Sequence, residues 1–235
     1  MKLDQHFLIN EEAAKLMVSR CKITKESIVI EIGPGNGEVT KFIPRCNLTL
    51  VEKDEILAEK LKGKFSAKII TGDGVEELRK RDFDFLISSV PYSIAEPLIR
   101  ELMIHDFKKA VLILPENFVQ NILSPQTSFS MIANNLLEIK IIKELEKTDF
   151  EPEPKANSTA VEITKNKKAN KVLENVYRQH DKKLKNALRE ALVEVRKITK
   201  KQAREIIGKL ELHEFVVNKG IDRISAAELQ KILSL

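Results

Sequence analysis

Short β-branched apolar runs recur through the first 120 residues, separated by amphipathic stretches. Ser27–Ile32 predicts a buried first strand, Leu48–Glu52 a second and Lys68–Thr71 a third. Phe83–Ile87 and Ala110–Leu114 predict a fourth and a fifth. Glu55–Lys62 and Ile94–Ile104 carry apolar residues at helical spacing between them. Such alternation implies βαβ units and a parallel sheet covered on both faces. Two further β-like runs, Ile139–Leu145 and Ser158–Thr164, have no helix-length segment between them and predict an antiparallel hairpin at the sheet edge. Lys165–Asn170 is polar and reads as a linker. From Lys171 onward only helical periodicity remains, and Ser225-Ala226-Ala227-Glu228 has the spacing of a capping box. The pattern therefore predicts an α/β domain over 1–164, a Rossmann-like sheet, and a small all-helical domain over 165–235.

Charge sharpens this division. Residues 164–235 hold 18 Lys/Arg against 9 Asp/Glu, whereas residues 1–163 hold 22 against 26. An asymmetry of this size predicts a tail that meets a polyanion, although a charge run alone reads more readily as a solvated helical surface. Arg178, Lys182, Lys185 and Arg189 follow i, i+4, i+7, i+11 spacing and predict one basic helix face. Leu173, Val176, Leu184, Leu188, Ala191 and Val195 fall on another face. Phosphate binding that weakens in salt follows from such a stripe. No apolar run reaches about 18 residues, and Met1–Gln5 lacks a signal-peptide pattern. Cys21 and Cys46 stand alone, which predicts neither disulfide nor metal site. A soluble, cytoplasmic protein is expected.

The candidate chemistry begins at Glu31-Ile32-Gly33-Pro34-Gly35-Asn36-Gly37, where the first strand turns. Glycines there let the backbone approach a ligand. The spacing is G-x-G-x-G rather than the G-x-G-x-x-G of dinucleotide binders. Glu52 closes the second strand and could accept hydrogen bonds from both hydroxyls of a ribose. Asp73, in Gly72-Asp73-Gly74, closes the third and could accept from an adenine amine. Open α/β sheets bind ligands at such strand ends. The set predicts an adenosyl cofactor; a nicotinamide cofactor is the rival, and the glycine spacing argues against it.

The fourth strand runs into Ser88-Ser89-Val90-Pro91-Tyr92. Here the sequence resembles the ribosomal RNA adenine dimethyltransferase family, which includes the erythromycin-resistance methylases and reads Asn-Leu-Pro-Tyr at this corner. Gln5-His6-Phe7-Leu8 with Asn10 is similar to the family's Gly-Gln-x-Phe-Leu segment. Phe150–Ser158 is similar to its Phe-x-Pro-x-Pro-Lys-Val-Asp-Ser segment, and Lys182–Leu188 to its Arg-Lys-x-Leu-x-Asn-x-Leu pattern. The resemblance implies S-adenosylmethionine as cofactor, held by Gln5, His6, Leu8, Gly33, Gly35, Gly37, Glu52, Lys53, Asp73 and Ser89. It implies N6-dimethylation of adenines in a 3′-terminal hairpin of small-subunit rRNA during ribosome assembly, with Ser89, Pro91, Tyr92 and Phe150 at the base. It also implies docking of a monomer on the assembling small subunit through Arg178, Lys182, Lys185 and Arg189, without a metal or a membrane.

An adenine N6 lone pair is delocalised into the ring, so acceptors must hold the amine as the methyl arrives. The flipped base needs aromatic faces, for which Tyr92 and Phe150 are the candidates. Two departures stand out. Ser89 occupies the place of the family's Asn, which opens an alternative: an assembly factor that keeps the fold and the docking but has reduced or lost activity. After the fifth strand the family reads Gln-Lys-Glu, and this chain reads Leu114-Pro115-Glu116-Asn117, with a short stretch between Asn121 and Phe129.

Overall fold

Residues 5–235 are described in a computed structural model. Strand β1 (Phe7–Leu8) and helix α1 (Glu11–Arg20) precede β2 (Ile28–Ile32) and β3 (Asn47–Glu52). There follow α2 (Glu55–Lys62), β4 (Lys68–Thr71), α3 (Gly74–Arg79), β5 (Phe85–Ser89), α4 (Ala95–Ile104) and β6 (Lys109–Pro115). Helices α5 (Glu116–Leu123) and α6 (Ser128–Leu136) lead to β7 (Leu137–Leu145), β8 (Phe150–Glu151) and β9 (Ser158–Lys165). The tail is α7 (Lys171–Tyr177), α8 (Leu184–Arg196), α9 (Lys200–Lys209), α10 (Glu214–Val217) and α11 (Ala226–Leu233).

Seven strands form one sheet in the order β4-β3-β2-β5-β6-β9-β7. Strands β2 to β6 pair in parallel, with Ile30 opposite Thr49 and Leu86, whereas β9 runs antiparallel to β6 with Val161 opposite Leu112. This is the Rossmann-like sheet expected, with β9 inserted beside β6 and β7 at the edge. A separate two-stranded pair joins β1 to β8, with Leu8 opposite Phe150. The parallel strands read as continuous apolar runs because both faces are covered. Ala13, Ala14 and Met17 of α1 pack on Val29, Phe85, Ile87 and Val111. The alternate residues Ile30, Leu86 and Leu112 are buried towards the other face. Among the described residues no helix is long and apolar enough to cross a membrane.

Contacts divide the chain into two units, one of residues up to Gln120 with Glu138–Lys165, the other of Asn121–Leu137 with Asn166–Leu235. The segment 121–137, placed by the sequence pattern with the sheet, thus belongs with the helices. The reason is a cluster of asparagines. Asn166 donates its amide to the Asn135 carbonyl at 2.9 Å, and the Asn170 N–H donates to Asn135 Oδ1 at 3.0 Å. The helical unit buries Leu173, Val176, Leu184, Leu188, Leu192 and Leu229. Ser225 and Glu228 form the capping box expected at the start of α11.

The basic stripe requires one correction. Arg178 is the C-cap of α7, Lys182 lies in the turn after it, and Lys185 and Arg189 lie on α8, so the four residues do not share a continuous helix. The break is made by the N–H of Leu184, which donates to the distant Lys219 carbonyl at 2.6 Å. Arg178 meets Glu174 at 3.5 Å and Lys182 meets Glu190 at 2.7 Å. Val195, expected on the packed face, is 38% exposed.

Candidate active site

The carboxyl ends of β2 to β5 open into a cleft within the sheet unit. Gly33 and Gly35 line it with Glu52, Asp73, Ser89 and Pro91, and its walls include Gln5, His6, Lys53, Tyr92 and Phe150. Its floor follows from the glycine loop. Gly33, Gly35 and Gly37 have φ of +64°, +60° and +90°, a region that side chains other than glycine's rarely adopt. A Cβ on Gly35 would stand 2.8 Å from the Phe7 ring, and one on Gly37 2.3 Å from the Phe65 ring. The Gly33 N–H donates to the Val51 carbonyl at 2.9 Å, stitching the loop to β3.

Glu52 ends β3 beneath that loop and is 5% exposed. Its Oε2 accepts the Gly35 N–H at 3.1 Å and its Oε1 the Asp54 N–H at 3.0 Å. A carboxylate offers about four lone-pair sites, and the Lys53 N–H also bonds this one, so the carboxyl keeps room for a further donor. Burial pushes the Glu52 carboxyl above the ordinary range, against the backbone N–H groups of Asp54 and Gly35. Asp73 is the N-cap of α3, with Oδ1 accepting from the N–H groups of Val75 (3.0 Å) and Glu76 (3.3 Å). Its Oδ2 meets Lys53 Nζ at 3.3 Å. Burial raises the Asp73 pKa, but the Glu76 N–H and the Lys53 ammonium outweigh it and hold the carboxyl low. Gln5 hydrogen-bonds Asp54, the N-cap of α2, and closes this side.

On the opposite side the chain turns at Ser89. Ser88 is fully buried and its hydroxyl donates to the Ile32 carbonyl at 2.6 Å, which fixes the end of β5 against the glycine loop. Pro91 Cδ lies 3.6 Å from where a Cβ on Gly33 would stand. The Tyr92 hydroxyl is 2.8 Å from the Ser158 hydroxyl and donates to the Ala156 carbonyl at 3.3 Å, so its ring is held by the segment before β9. His6 stands beside that ring, with centroids 6.3 Å apart, and its Nδ1 is 2.8 Å from the Pro152 carbonyl.

The sequence profile of the ribosomal RNA adenine dimethylase family matches residues 1–228. The chain belongs to this family. A probable ribosomal RNA small subunit methyltransferase A of Methanococcus maripaludis is 27% identical over 89% of this chain and 88% of its own length. Its counterpart in Pyrococcus abyssi is 28% identical over 81% and 76%. A dimethyladenosine transferase from Plasmodium falciparum shares the fold at a TM-score of 0.65, with 20% identity over 97% of this chain and 96% of that one. The 23S rRNA methyltransferase ErmE does so at 0.59, with 14% identity over 97% and 98%. The family is one of S-adenosylmethionine-dependent methyltransferases.

Most residues expected at the cofactor or base meet in this cleft, and two do not. Leu8 is 3% exposed and packs in the core through the β1–β8 pair, and Gly37 lies under Phe65 away from the cleft wall. Phe150 lines the cleft but is 4% exposed, half wall and half core. Sequence reasoning gave no role to Ser158, Ser88, Leu57 or Gly74. Ser158 was visible as the end of the Phe150–Ser158 motif. Gly74 stands in the Gly72-Asp73-Gly74 motif, but its need for glycine comes from Ile32, whose Cγ2 would stand 2.3 Å from an added Cβ.

Proposed function

We propose that this protein transfers methyl groups from S-adenosylmethionine to the N6 of adenines in small-subunit ribosomal RNA, ending at the dimethylated base. The target is the 3′-terminal hairpin during subunit assembly. The observation that carries this reading is the shared wall of the cleft, where the Ser89–Tyr92 corner packs directly on the glycine loop. The cofactor supplies a methyl group already activated on a sulfonium, so no Lewis acid is required. Glu52 accepts from the ribose hydroxyls beside the backbone N–H groups of Gly35, Asp54 and Lys53. Asp73 Oδ2 accepts the adenine amine of the cofactor, beside Lys53. Gln5, His6, Gly33 and Gly35 complete that side.

On the RNA side Tyr92 stacks on the flipped base, with Phe150 behind it. The Ser89 side chain and the neighbouring backbone carbonyls accept from the target amine as positive charge develops there. The Pro91 carbonyl already accepts the Ile94 N–H at 3.0 Å, so one lone pair remains to it. The names of the curated relatives support the small subunit as substrate. Docking falls to the basic helical unit, with Lys185 and Arg189 of α8 among its cations. A second reading, an assembly factor with little activity, is favoured by Ser89.

Glu52→Ala should weaken binding of S-adenosylmethionine by about 1.5–3 kcal/mol, the value of hydrogen bonds to a charged group. Calorimetry on both proteins measures this; equal affinity would remove Glu52 from the site. The function itself is tested with methyl-labelled cofactor and immature small subunits. Label should enter small-subunit rRNA and fall sharply with Glu52→Ala. Subunit binding without label in any precursor would leave the assembly factor.

A further inference from the structure

Phe215 is 60% exposed and, among the described residues, is the one Phe or Tyr that faces solvent this openly. It sits on α10, whose next residue, Val216, is buried, so the helix is pinned and the ring is held outward. The Phe215 N–H donates to His213 Nδ1 at 3.2 Å, which caps the turn. One cation lies against the ring and a second is close by along the chain fold. Lys219 Nζ lies 5.2 Å from its centroid. Lys185 reaches the same corner, its Nζ donating to Asn218 Oδ1 at 2.7 Å. The Leu184 N–H bond to the Lys219 carbonyl locks the start of α8, with exposed Lys183 and Lys185, against the end of α10. The acidic neighbour Glu214 lies about 100° round the turn from Phe215.

We propose that Phe215 is a stacking platform for an unpaired base of the RNA, with Lys219 and Lys185 holding the flanking phosphates. An apolar ring with one ammonium group against it and a second held at Asn218 fits this occupant. Every base offers a π-face to the ring, and its adjacent phosphates answer the lysines. An apolar protein pocket would leave both lysines to be desolvated without partners. The surrounding helical unit carries a large excess of Lys and Arg, which adds a field of the same sign. This platform rests on the RNA-methylating reading but is separable from it.

The chain contains no tryptophan, so Phe215→Trp gives a single fluorescent reporter at the proposed contact. In the full-length protein its emission should be quenched by a short single-stranded oligoribonucleotide, and far less by the same sequence as a duplex or by inorganic polyphosphate. Phe215→Ala should weaken binding of the single strand about 5- to 150-fold, the range for one stacked base, and Phe215→Tyr should restore it. Lys185→Ala with Lys219→Ala should flatten the salt dependence. The thermal midpoint of Phe215→Ala serves as the folding control. Quenching equal with polyphosphate or with duplex, or unchanged affinity in Phe215→Ala, overturns the platform even where the wild type methylates subunits. Loss of methylation with quenching intact overturns the functional reading and leaves the platform standing.

Discussion

Replacing Ser89 by Asn is expected to accelerate methyl transfer by up to about 10²–10³, with the larger gain on the second methyl. Ser89 is the last residue of β5, held opposite Ile113, and it lines the cleft. A serine hydroxyl is short and also donates, whereas an amide oxygen reaches further and only accepts. The second transfer gains more because the monomethylated amine keeps one hydrogen, and a single acceptor must then orient it. Single-turnover rates for each methyl, wild type against Ser89→Asn, measure the effect. Equal rates would mean that backbone carbonyls at Val90 and Pro91 already supply the acceptor.

The second large effect concerns stability and lies at Glu31. This carboxyl is 2% exposed and accepts the Thr40 hydroxyl at 2.7 Å. Burial first, then the nearby carboxylates of Glu38 and Glu52, push its pKa from 4.5 to about 8, with the Thr40 bond opposing. A folded-state value above the unfolded one means the stabilisation is fully present below the unfolded pKa and is lost as pH rises through the folded one. At about 1.4 kcal/mol per pH unit, the loss between about pH 5 and pH 9 amounts to a few kcal/mol. Glu31→Gln keeps the acceptor for Thr40 but cannot ionise, so its profile should fall less steeply over that range, with the raised Glu52 carboxyl supplying what slope remains. Urea unfolding of both proteins against pH is the measurement. Parallel profiles would show that Glu31 is ionised in the folded protein.

The parts of the molecule that were legible in the sequence are those decided by local pattern. Strand β4 and helix α2 match the runs Lys68–Thr71 and Glu55–Lys62 to the residue; Asp54 and Gly63 bound the helix, and Gly72 ends the strand. Strand β5 begins at Phe85 instead of Phe83, since Asp84 Oδ2 is engaged by the Ile28 N–H and pairing starts at Phe85 opposite Val29. Helix α6 escaped notice because its capping box uses Ser130 where the usual signature has Glu or Gln. The break between α7 and α8 was invisible for a different reason. No glycine or proline marks it; the Lys219 carbonyl, and Gly220 packed on the His180 carbonyl, impose it from far along the chain.

The candidate site divides in the same way. The glycine loop, Glu52, Asp73 and the Ser89–Tyr92 corner sit at strand ends, so order along the chain was enough to bring them together. Leu8 and Gly37 do not line the cleft, because motif membership says nothing about which side of a backbone faces it. The Ser158 hydroxyl that holds Tyr92 joins residues 66 apart, through a strand inserted out of sequence order.

Delivery of methyl groups from the cleft to adenine N6 is tested most directly by the identity of the product. Immature small subunits are incubated with excess protein and S-adenosylmethionine, and the nucleosides of their rRNA are resolved by mass spectrometry. The wild-type chain is predicted to yield N6-methyladenosine that passes on to N6,N6-dimethyladenosine. Subunits that are bound by the protein yet contain only unmodified adenosine, with wild type and with Ser89→Asn alike, would contradict it.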